Sequence, residues 1–219
     1  MALLLTSQKR AAFLLLTGMA LSTFLSLSAE AGRIADADWN QGVVVLSNDE
    51  VLSGEVYHDH KNDLLLLRSG ARQPIRTFTV HQLQSFRYYD PRDNLIRHFL
   101  TVALRGARTS YPVRRFYEVV SKGDVMYLRR HNGCALAPPS DLSHHTVAYD
   151  YFAYYQGQLI RSHRFEKDLL PVLANTDPTL LSYMKEKQLR PYEIADQIAL
   201  ITRFNRWRSG PVAKMLAPL

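Results

Sequence analysis

The chain of 219 residues contains a single cysteine, Cys134, and therefore cannot form a disulfide bond within one molecule. The stability of the fold must come from side-chain packing instead. Nothing around Cys134 in the sequence resembles the surroundings of a reactive thiolate. We expect Cys134 to be buried or to lie in a loop where its thiol does not react. A disulfide bond between two molecules is the alternative.

The sequence also lacks the short motifs that mark common catalytic and nucleotide-binding sites. It contains no G-x-S-x-G, no P-loop, no G-x-G-x-x-G and no H-E-x-x-H. Motifs therefore assign no catalytic residue, no metal ligand and no cofactor. The sequence does not exclude a pair of catalytic carboxylates for glycoside hydrolysis, because two such residues need not be neighbours in sequence.

Long apolar runs are absent except at the N-terminus, where Lys9 and Arg10 precede an apolar run over residues 11–28. The run ends in a small-x-small triplet, A-E-A, at residues 29–31. These three parts predict a secretory signal peptide over residues 1–31 that is cleaved behind the triplet. An uncleaved membrane anchor is the alternative, since the run is just long enough to span a bilayer. After cleavage we expect no transmembrane segment.

Negative charge is scarce, with 20 Asp and Glu against 27 Lys and Arg, which gives a formal net charge of +7. In an exported protein this balance favours anionic partners, namely lipid head groups, lipopolysaccharide or acidic glycans. Another envelope protein is a further candidate partner. Export removes nucleic acid as a partner, so we expect no nucleic-acid binding.

Some of the basic residues form clusters along the chain. Two adjacent pairs of arginines would form an anion-binding face if both pairs lie at one end of a sheet. The alternative is scattered, solvated charge. The candidate anion-binding residues are Arg114, Arg115, Arg129 and Arg130.

What the sequence does contain is a regular alternation of short apolar runs and turn signals. From Trp39 to Arg130 the runs recur about every ten residues, which predicts an antiparallel meander of about eight strands, in a sandwich or a strongly curved sheet. A long loop over 131–146 and one more hairpin would complete this β-rich part. The predicted strands are 42–46, 51–57, 64–68, 75–79, 85–89, 95–103, 116–120, 125–130, 147–155 and 158–161.

Helical periodicity begins at Arg164. A short helix around Leu169 is followed by a second that Asp177-Pro178 would cap, and a third opens near Pro191. The predicted fold class is therefore α+β, an antiparallel meander or sandwich-like sheet followed by a small C-terminal unit of about three helices. The predicted organisation is a signal peptide over 1–31, a β-rich domain over 32–163 and a helical unit over 164–219 packed on it.

Two groups of residues have some features of a metal site. His58 and His60 would share one face of an extended segment, and Asp63 is close by. We interpret them as solvated residues of a polar turn, assign no metal site and leave metal binding as the alternative. The second group, to which the same interpretation applies, comprises His131, Cys134, His144 and His145.

Two acids and a run of tyrosines allow two interpretations each. Glu55 and Glu118 stand inside otherwise apolar strands and are the acids best placed for a hidden catalytic site. We favour the simpler interpretation that each faces outward and pairs with a neighbouring arginine. The run from Tyr149 to Tyr155 could stack on sugar rings, but we expect it to form the packing surface between sheet and helices.

Several short segments together resemble a known group of proteins. They are W-x-x-G-x-V-x-L from Trp39, L-S-G-E-V from Leu52, F-x-Y-Y-D from Phe86, F-Y-E-V from Phe116 and L-R-R from Leu128. The series resembles a group of uncharacterised secreted proteins of Gram-negative bacteria, with a signal peptide, a β-rich middle and a helical C-terminal tail. The resemblance covers most of the chain after the leader. It implies the same architecture and export, and no activity, cofactor or catalytic residue.

These observations favour an exported cell-envelope protein, periplasmic, associated with the outer membrane or extracellular, with a non-enzymatic role in binding or scaffolding. An envelope hydrolase with an unrecognised acid or histidine site is the alternative. A deep pocket with two or more converging acids or histidines of perturbed pKa would count against the non-enzymatic role. A third hypothesis, a peripheral subunit of an envelope complex, predicts an exposed apolar patch larger than about 400 Å².

Overall fold

The computed structural model describes residues 38–70, 73–105, 112–132 and 149–210. All the elements described here belong to the compact unit Asn40–Leu219. The predictions about the leader, Cys134, His144 and His145 concern residues outside the described ranges and stay predictions.

Ten strands form one open sheet in which all neighbouring strands are antiparallel, and helices follow the sheet along the chain. The predicted α+β class is thereby confirmed. The strands are β1 (Asn40–Leu46), β2 (Val51–Asp59), β3 (Leu64–Arg68), β4 (Arg76–Thr79), β5 (Leu83–Asp90), β6 (Leu95–Arg105), β7 (Pro112–Ser121), β8 (Met126–His131), β9 (Tyr149–Tyr155) and β10 (Gln158–Arg161). Their order across the sheet is β10-β9-β8-β7-β6-β5-β1-β2-β3-β4, so the pairing of β1 with β5 joins two simple meanders.

A pair of glycines lets the strands near β1 and β2 pack closely. Gly42 and Gly54 are cross-strand partners. A Cβ atom on Gly42 would lie 2.7 Å from the carbonyl oxygen of Arg87, and one on Gly54 would lie 2.5 Å from that of Arg68. Side chains at these two positions would therefore push the neighbouring backbone away.

The sheet curls so that one of its faces closes on itself. The ring of His58, near the end of β2, lies 4.8 Å from the ring of Phe99 on β6 and 5.6 Å from that of Phe116 on β7. In the sheet, two strands lie between β6 and β2, and three lie between β7 and β2. We call the enclosed side the inner face and the opposite side the outer face. The core of the inner face comprises Val44, Leu46, Val56, Leu65, Leu67, Phe78, Val80, Leu83, Phe86, Phe99 and Phe116.

The helices pack on the inner face at β8–β10. A 3₁₀ turn (Ser162–Arg164) and a π-helical turn (Phe165–Leu169) lead into α1 (Leu170–Thr176), α2 (Leu180–Glu186) and α3 (Ile194–Ser209). Their core includes Phe165, Leu173, Leu180, Leu200 and Phe204 together with Tyr127 and Ala153 of the sheet. No helix in the described part of the chain combines the length and the apolar character needed to cross a membrane.

The start of α2 differs from the prediction that Asp177-Pro178 caps it directly. The buried carboxylate of Asp177 accepts hydrogen bonds from the backbone N–H (2.9 Å) and the hydroxyl (2.6 Å) of Thr179. These bonds close a turn over 178–179, and the helix itself begins at Leu180. Thr179 is the N-cap residue and its side chain forms no capping hydrogen bond, so the prediction of Asp177 as the cap with Pro178 at the first helical position is wrong.

Buried polar side chains fix α3 to the sheet. The hydroxyl of Tyr127 on β8 donates a 2.6 Å hydrogen bond to Gln197 Oε1. Gln197 Nε2 in turn donates to the carbonyl oxygens of Pro191 (2.7 Å) and Ser162 (3.0 Å). Since the side chains of Tyr127 and Gln197 are fully buried, they specify one position of the helix on the strand.

The predicted packing role of the β9 tyrosines is confirmed for two of them. Tyr151 and Tyr155 pack against the helical core. Tyr154 packs with Tyr117 and Leu128 in a cluster on the other face. Tyr149 belongs to neither cluster and turns toward a cleft at the end of the sheet.

Candidate ligand-binding cleft

A cleft of about 260 Å³ opens on the inner face where the turn after β2 meets β7, β8 and β9. It forms because the curl of the sheet brings that turn across strands that are remote in the chain. The lining combines three imidazoles, four aromatic rings and six charged side chains. It consists of His58, His60, Asp63, Tyr88, Asp90, Arg97, Phe99, Phe116, Glu118, Arg129, Arg130, His131 and Tyr149.

His58 is the most enclosed imidazole of the cleft. Its ring meets those of Phe86, Phe99 and Phe116 edge to face, at 4.8 to 5.6 Å between centroids. Within the described structure its Nε2 atom is buried and has no hydrogen-bond partner. Burial, with a smaller contribution from His60, lowers the pKa of His58 to about 4. The interpretation of His58 as a solvated turn residue is therefore wrong, because β2 runs on to Asp59 and carries this ring inside.

His60 and His131 form a stacked pair beside His58. Their ring centroids lie 4.0 Å apart with the planes tilted by 33°. Burial, followed by the nearby His131, lowers the pKa of His60. In the described ranges, no group of three or more His, Cys, Asp or Glu side chains is arranged to hold a metal ion.

Glu118 is the central carboxylate of the cleft. Oε1 accepts hydrogen bonds from Arg97 Nη1 (2.9 Å) and Arg129 Nη2 (2.8 Å), and Oε2 accepts one from Arg129 Nε (2.8 Å). Arg129 reaches Glu118 because the two residues are cross-strand partners. The hydrogen bonds to Glu118 raise the pKa of Arg129. The expected pairing with arginine is confirmed, but the expected outward direction is wrong because Glu118 is only 7 % exposed.

Glu55 behaves as predicted and differs from Glu118. It pairs across the strands with Arg68, whose Nε donates a 2.7 Å hydrogen bond to Oε2. Both side chains remain about a quarter exposed, at 28 % and 23 %. Glu55 thus provides a natural reference for the buried ion pairs of the cleft.

Asp63 is the second enclosed carboxylate. Oδ2 accepts hydrogen bonds from Arg115 Nη1 (2.6 Å) and Arg130 Nη2 (3.0 Å). Asp63 closes the turn between β2 and β3 with a φ of 52°, a left-handed conformation that Asp tolerates better than most residues. The ion pairs therefore attach this turn to β7 and β8.

The structure brings three of the four candidate anion-binding arginines to this region. Arg115 and Arg130 pair with Asp63, and Arg129 pairs with Glu118. Arg114 is exposed on β7. Anion binding by these residues stays a prediction. Arg129 and Arg130 line the cleft, Arg115 lies outside its lining, and all three already have a carboxylate partner.

Sequence reasoning missed several lining residues, above all Tyr88, Asp90, Arg97 and the role of Tyr149. Arg97 donates a 2.6 Å hydrogen bond to Asp90 Oδ2 in addition to its bond with Glu118. The guanidinium of Arg129 lies 4.3 Å from the ring centre of Tyr149. Burial raises the pKa of Tyr88, so its phenol is neutral at pH 7. Strand alternation places Tyr88 and Asp90 on one face of β5 and could have indicated these two.

Folding stability should depend on the protonation of His58. The unfolded imidazole titrates near 6.5 and the folded one near 4, so the unfolded chain binds more protons between these values. Stability should be full above pH 6.5 and should fall as the pH drops toward 4, with a contribution of about 3 kcal/mol from this group. Urea unfolding at several pH values measures the slope. His58→Phe should flatten it and the exposed control His81→Gln should not; an unchanged slope in His58→Phe would contradict the assignment.

No protein-family model, curated protein or solved structure matches the chain. The functional argument therefore depends on the geometry of the cleft.

Proposed function

We propose that the chain is an exported protein of the bacterial cell envelope that binds a compact ligand in the inner cleft without transforming it. Export is inferred from the predicted leader over 1–31 and from the resemblance to secreted Gram-negative proteins. The single observation that supports ligand binding is the cleft around His58, whose buried Nε2 has no partner in the described structure. A buried polar atom of this kind gains a hydrogen bond when a ligand supplies one.

Size and charge define the class of ligand. The volume of about 260 Å³ lies slightly below the usual range of small-molecule pockets, so the ligand is compact. Three carboxylates and three guanidinium groups line the cleft in pairs, which favours a neutral or dipolar ligand. The rings of Tyr88, Phe99 and Tyr149 favour a flat apolar body. A small aromatic molecule with one hydroxyl or N–H group fits these conditions.

A pair of matched probes tests this proposal. Phenol can donate a hydrogen bond to an imidazole nitrogen, whereas its methyl ether, anisole, cannot. Titration of the ¹⁵N-histidine-labelled protein should shift the imidazole signals of His58 with phenol, and anisole should bind about ten-fold more weakly. His58→Phe should remove the difference between the probes, and His81→Gln should keep it. Absence of any His58 response to either probe at millimolar concentration would remove the proposal.

An envelope hydrolase is a second candidate, and the observation that favours it also counts against a non-enzymatic role. His58 and His60 have lowered pKa values and converge on one cleft with Asp63, so they stay uncharged at neutral pH and could accept a proton. Against it, all three lining carboxylates are paired with arginine, and the described lining contains no Ser, Thr or Cys. Chromogenic esters, phosphates and glycosides distinguish the two. Turnover that is lost in His60→Gln would replace the binding proposal with this one.

A further inference from the structure

A second cluster of charge lies on the outer face, away from the cleft. Arg87 on β5 and His98 on β6 are cross-strand partners. Lys122 directly follows β7 and lines the same depression, together with Val119 and Val120. The described lining of this depression contains no acidic residue.

The positive charge of this cluster is not neutralised within the described residues. Neither Arg87 nor Lys122 forms an ion pair there, in contrast to Arg97 and Arg129 of the cleft. The buried Nδ1 of His98 has no hydrogen-bond partner in the described structure. After burial, Lys122 and Arg87 are the causes that lower the pKa of His98, so the local potential at this ring is positive.

An apolar depression adjoins the basic one. It extends over Val43, Tyr89 and the backbone of Gly42 and Gly54. The two depressions share Arg87 and Ile96. Ile96 is 67 % exposed, the largest exposed fraction among the large hydrophobic residues described, and Tyr89 is 46 % exposed. An exposed isoleucine and tyrosine beside unpaired cations form an amphipathic surface.

We propose that the outer face at β5–β7 docks on a membrane surface that contains anionic lipids. Arg87, Lys122 and His98 would contact the phosphate of a head group. Ile96 and Tyr89 would enter the head-group layer, where an amphipathic tyrosine is favoured. Both depressions are open to solvent, so an isolated lipid molecule would leave most of its chains in water. For this reason the proposal commits to lipid in a bilayer. The basic depression shares no lining residue with the ligand cleft, whereas the apolar one shares Tyr88. The proposal does not depend on the function of the cleft.

Vesicle binding tests the proposal with variants of equal charge. The full chain is sedimented with vesicles of phosphatidylcholine alone or with 30 mol % phosphatidylglycerol, about a third of the lipid, a content at which basic residues respond strongly. Arg87→Gln/Lys122→Gln should weaken binding to the anionic vesicles by about 25-fold, since each basic residue at such a surface contributes about five-fold. Lys167→Gln/Lys185→Gln removes the same charge from exposed helical positions and should change binding less than about two-fold. All variants share residues 1–31, so differences between them come from the substituted positions.

The contribution of the exposed apolar residues to vesicle binding is measured separately. Ile96→Ser should weaken vesicle binding several-fold and leave its salt dependence unchanged, whereas the double charge variant should reduce the salt dependence. Circular dichroism and the urea midpoint should be unchanged in all variants, because the substituted side chains are exposed. Equal losses in both double variants would overturn the proposal in favour of non-specific charge. Saturable binding of monomeric dihexanoyl phosphatidylglycerol without vesicle binding would overturn it in favour of a soluble ligand.

Discussion

Replacing Glu118 with glutamine should lower the free energy of unfolding by about 3 to 5 kcal/mol, the usual range for breaking a buried ion pair. Glu118 is 7 % exposed and accepts three hydrogen bonds from Arg97 and Arg129. Glutamine keeps the shape of the side chain, but it removes the charge and offers only one acceptor oxygen. Two partly buried guanidinium groups then lose their shared counter-charge. Urea unfolding followed by tryptophan fluorescence measures the change.

The matched control is Glu55→Gln. Glu55 forms a cross-strand ion pair with Arg68 that is partly open to solvent. We expect a loss of about 1 kcal/mol or less, as for exposed pairs in general. Equal effects at Glu55 and Glu118 would show that the charges of the cleft contribute no more than a surface pair. In the Glu118→Gln variant, Arg97 keeps its ion pairs with Asp90 and Asp93, so the variant should remain folded and suitable for binding studies.

Replacing Asn205 with alanine should lower the free energy of unfolding by about 3 kcal/mol, because several buried backbone groups lose their partners. Asn205 on α3 bonds the turn between β7 and β8 through both of its side-chain atoms. Oδ1 accepts from the N–H of Val125 (2.9 Å), and Nδ2 donates to the carbonyl oxygens of Val125 (2.8 Å) and Lys122 (3.2 Å). The side chain is almost completely buried, so water cannot replace these bonds.

Gly123 in the same turn should be coupled to Asn205. It has a φ of +147°, and a Cβ atom there would lie 2.3 Å from the Asn205 side chain. Gly123→Ala should therefore be destabilising in the natural chain and less so in Asn205→Ala, where that contact is absent. Gly157→Ala is the control, since Gly157 also has a positive φ, +78°, but no atom within 4 Å of the added carbon. Additive effects in the double-mutant cycle would contradict this coupling.

The secondary structure was largely predictable because its signals are local. The hairpin around Gly123 was indicated by S-K-G-D between two apolar runs, and it joins β7 and β8 as expected. Strand β7 was predicted to begin at Phe116, but it begins at Pro112. Arg114 and Arg115 interrupt the apolar pattern there, whereas pairing with β6 continues to Arg105 and keeps them in the sheet. Backbone pairing with a neighbouring strand thus extended an element that the side-chain pattern would have ended.

The site was not predictable in the same way. A polar turn normally faces water, so the sequence favours solvated positions for His58 and Asp63. Asp63 is enclosed because Arg115 and Arg130, 52 and 67 residues further along the chain, pair with it across the curled sheet. His58 is enclosed because its ring packs against aromatic rings of β5, β6 and β7. Three patterns pointed to parts of the site, namely the histidines before Asp63, the paired arginines and the presence of Glu118 inside an apolar strand. The inward direction of the Glu118 side chain depends on pairing with strands that lie outside any short stretch of sequence around it.

By itself the sequence determined the properties that depend on composition and local order. These are the absence of an internal disulfide bond, the excess of positive charge, the apolar N-terminal run and the approximate places of strands and helices. Only the tertiary structure decided which of the charges are paired and which are not. The curl of the sheet encloses Glu118 and Asp63 with their arginines and leaves Arg87 and Lys122 without carboxylates among the described residues. The physical reason is that burial and pairing depend on distances across the sheet, and these distances result from strand order and curvature.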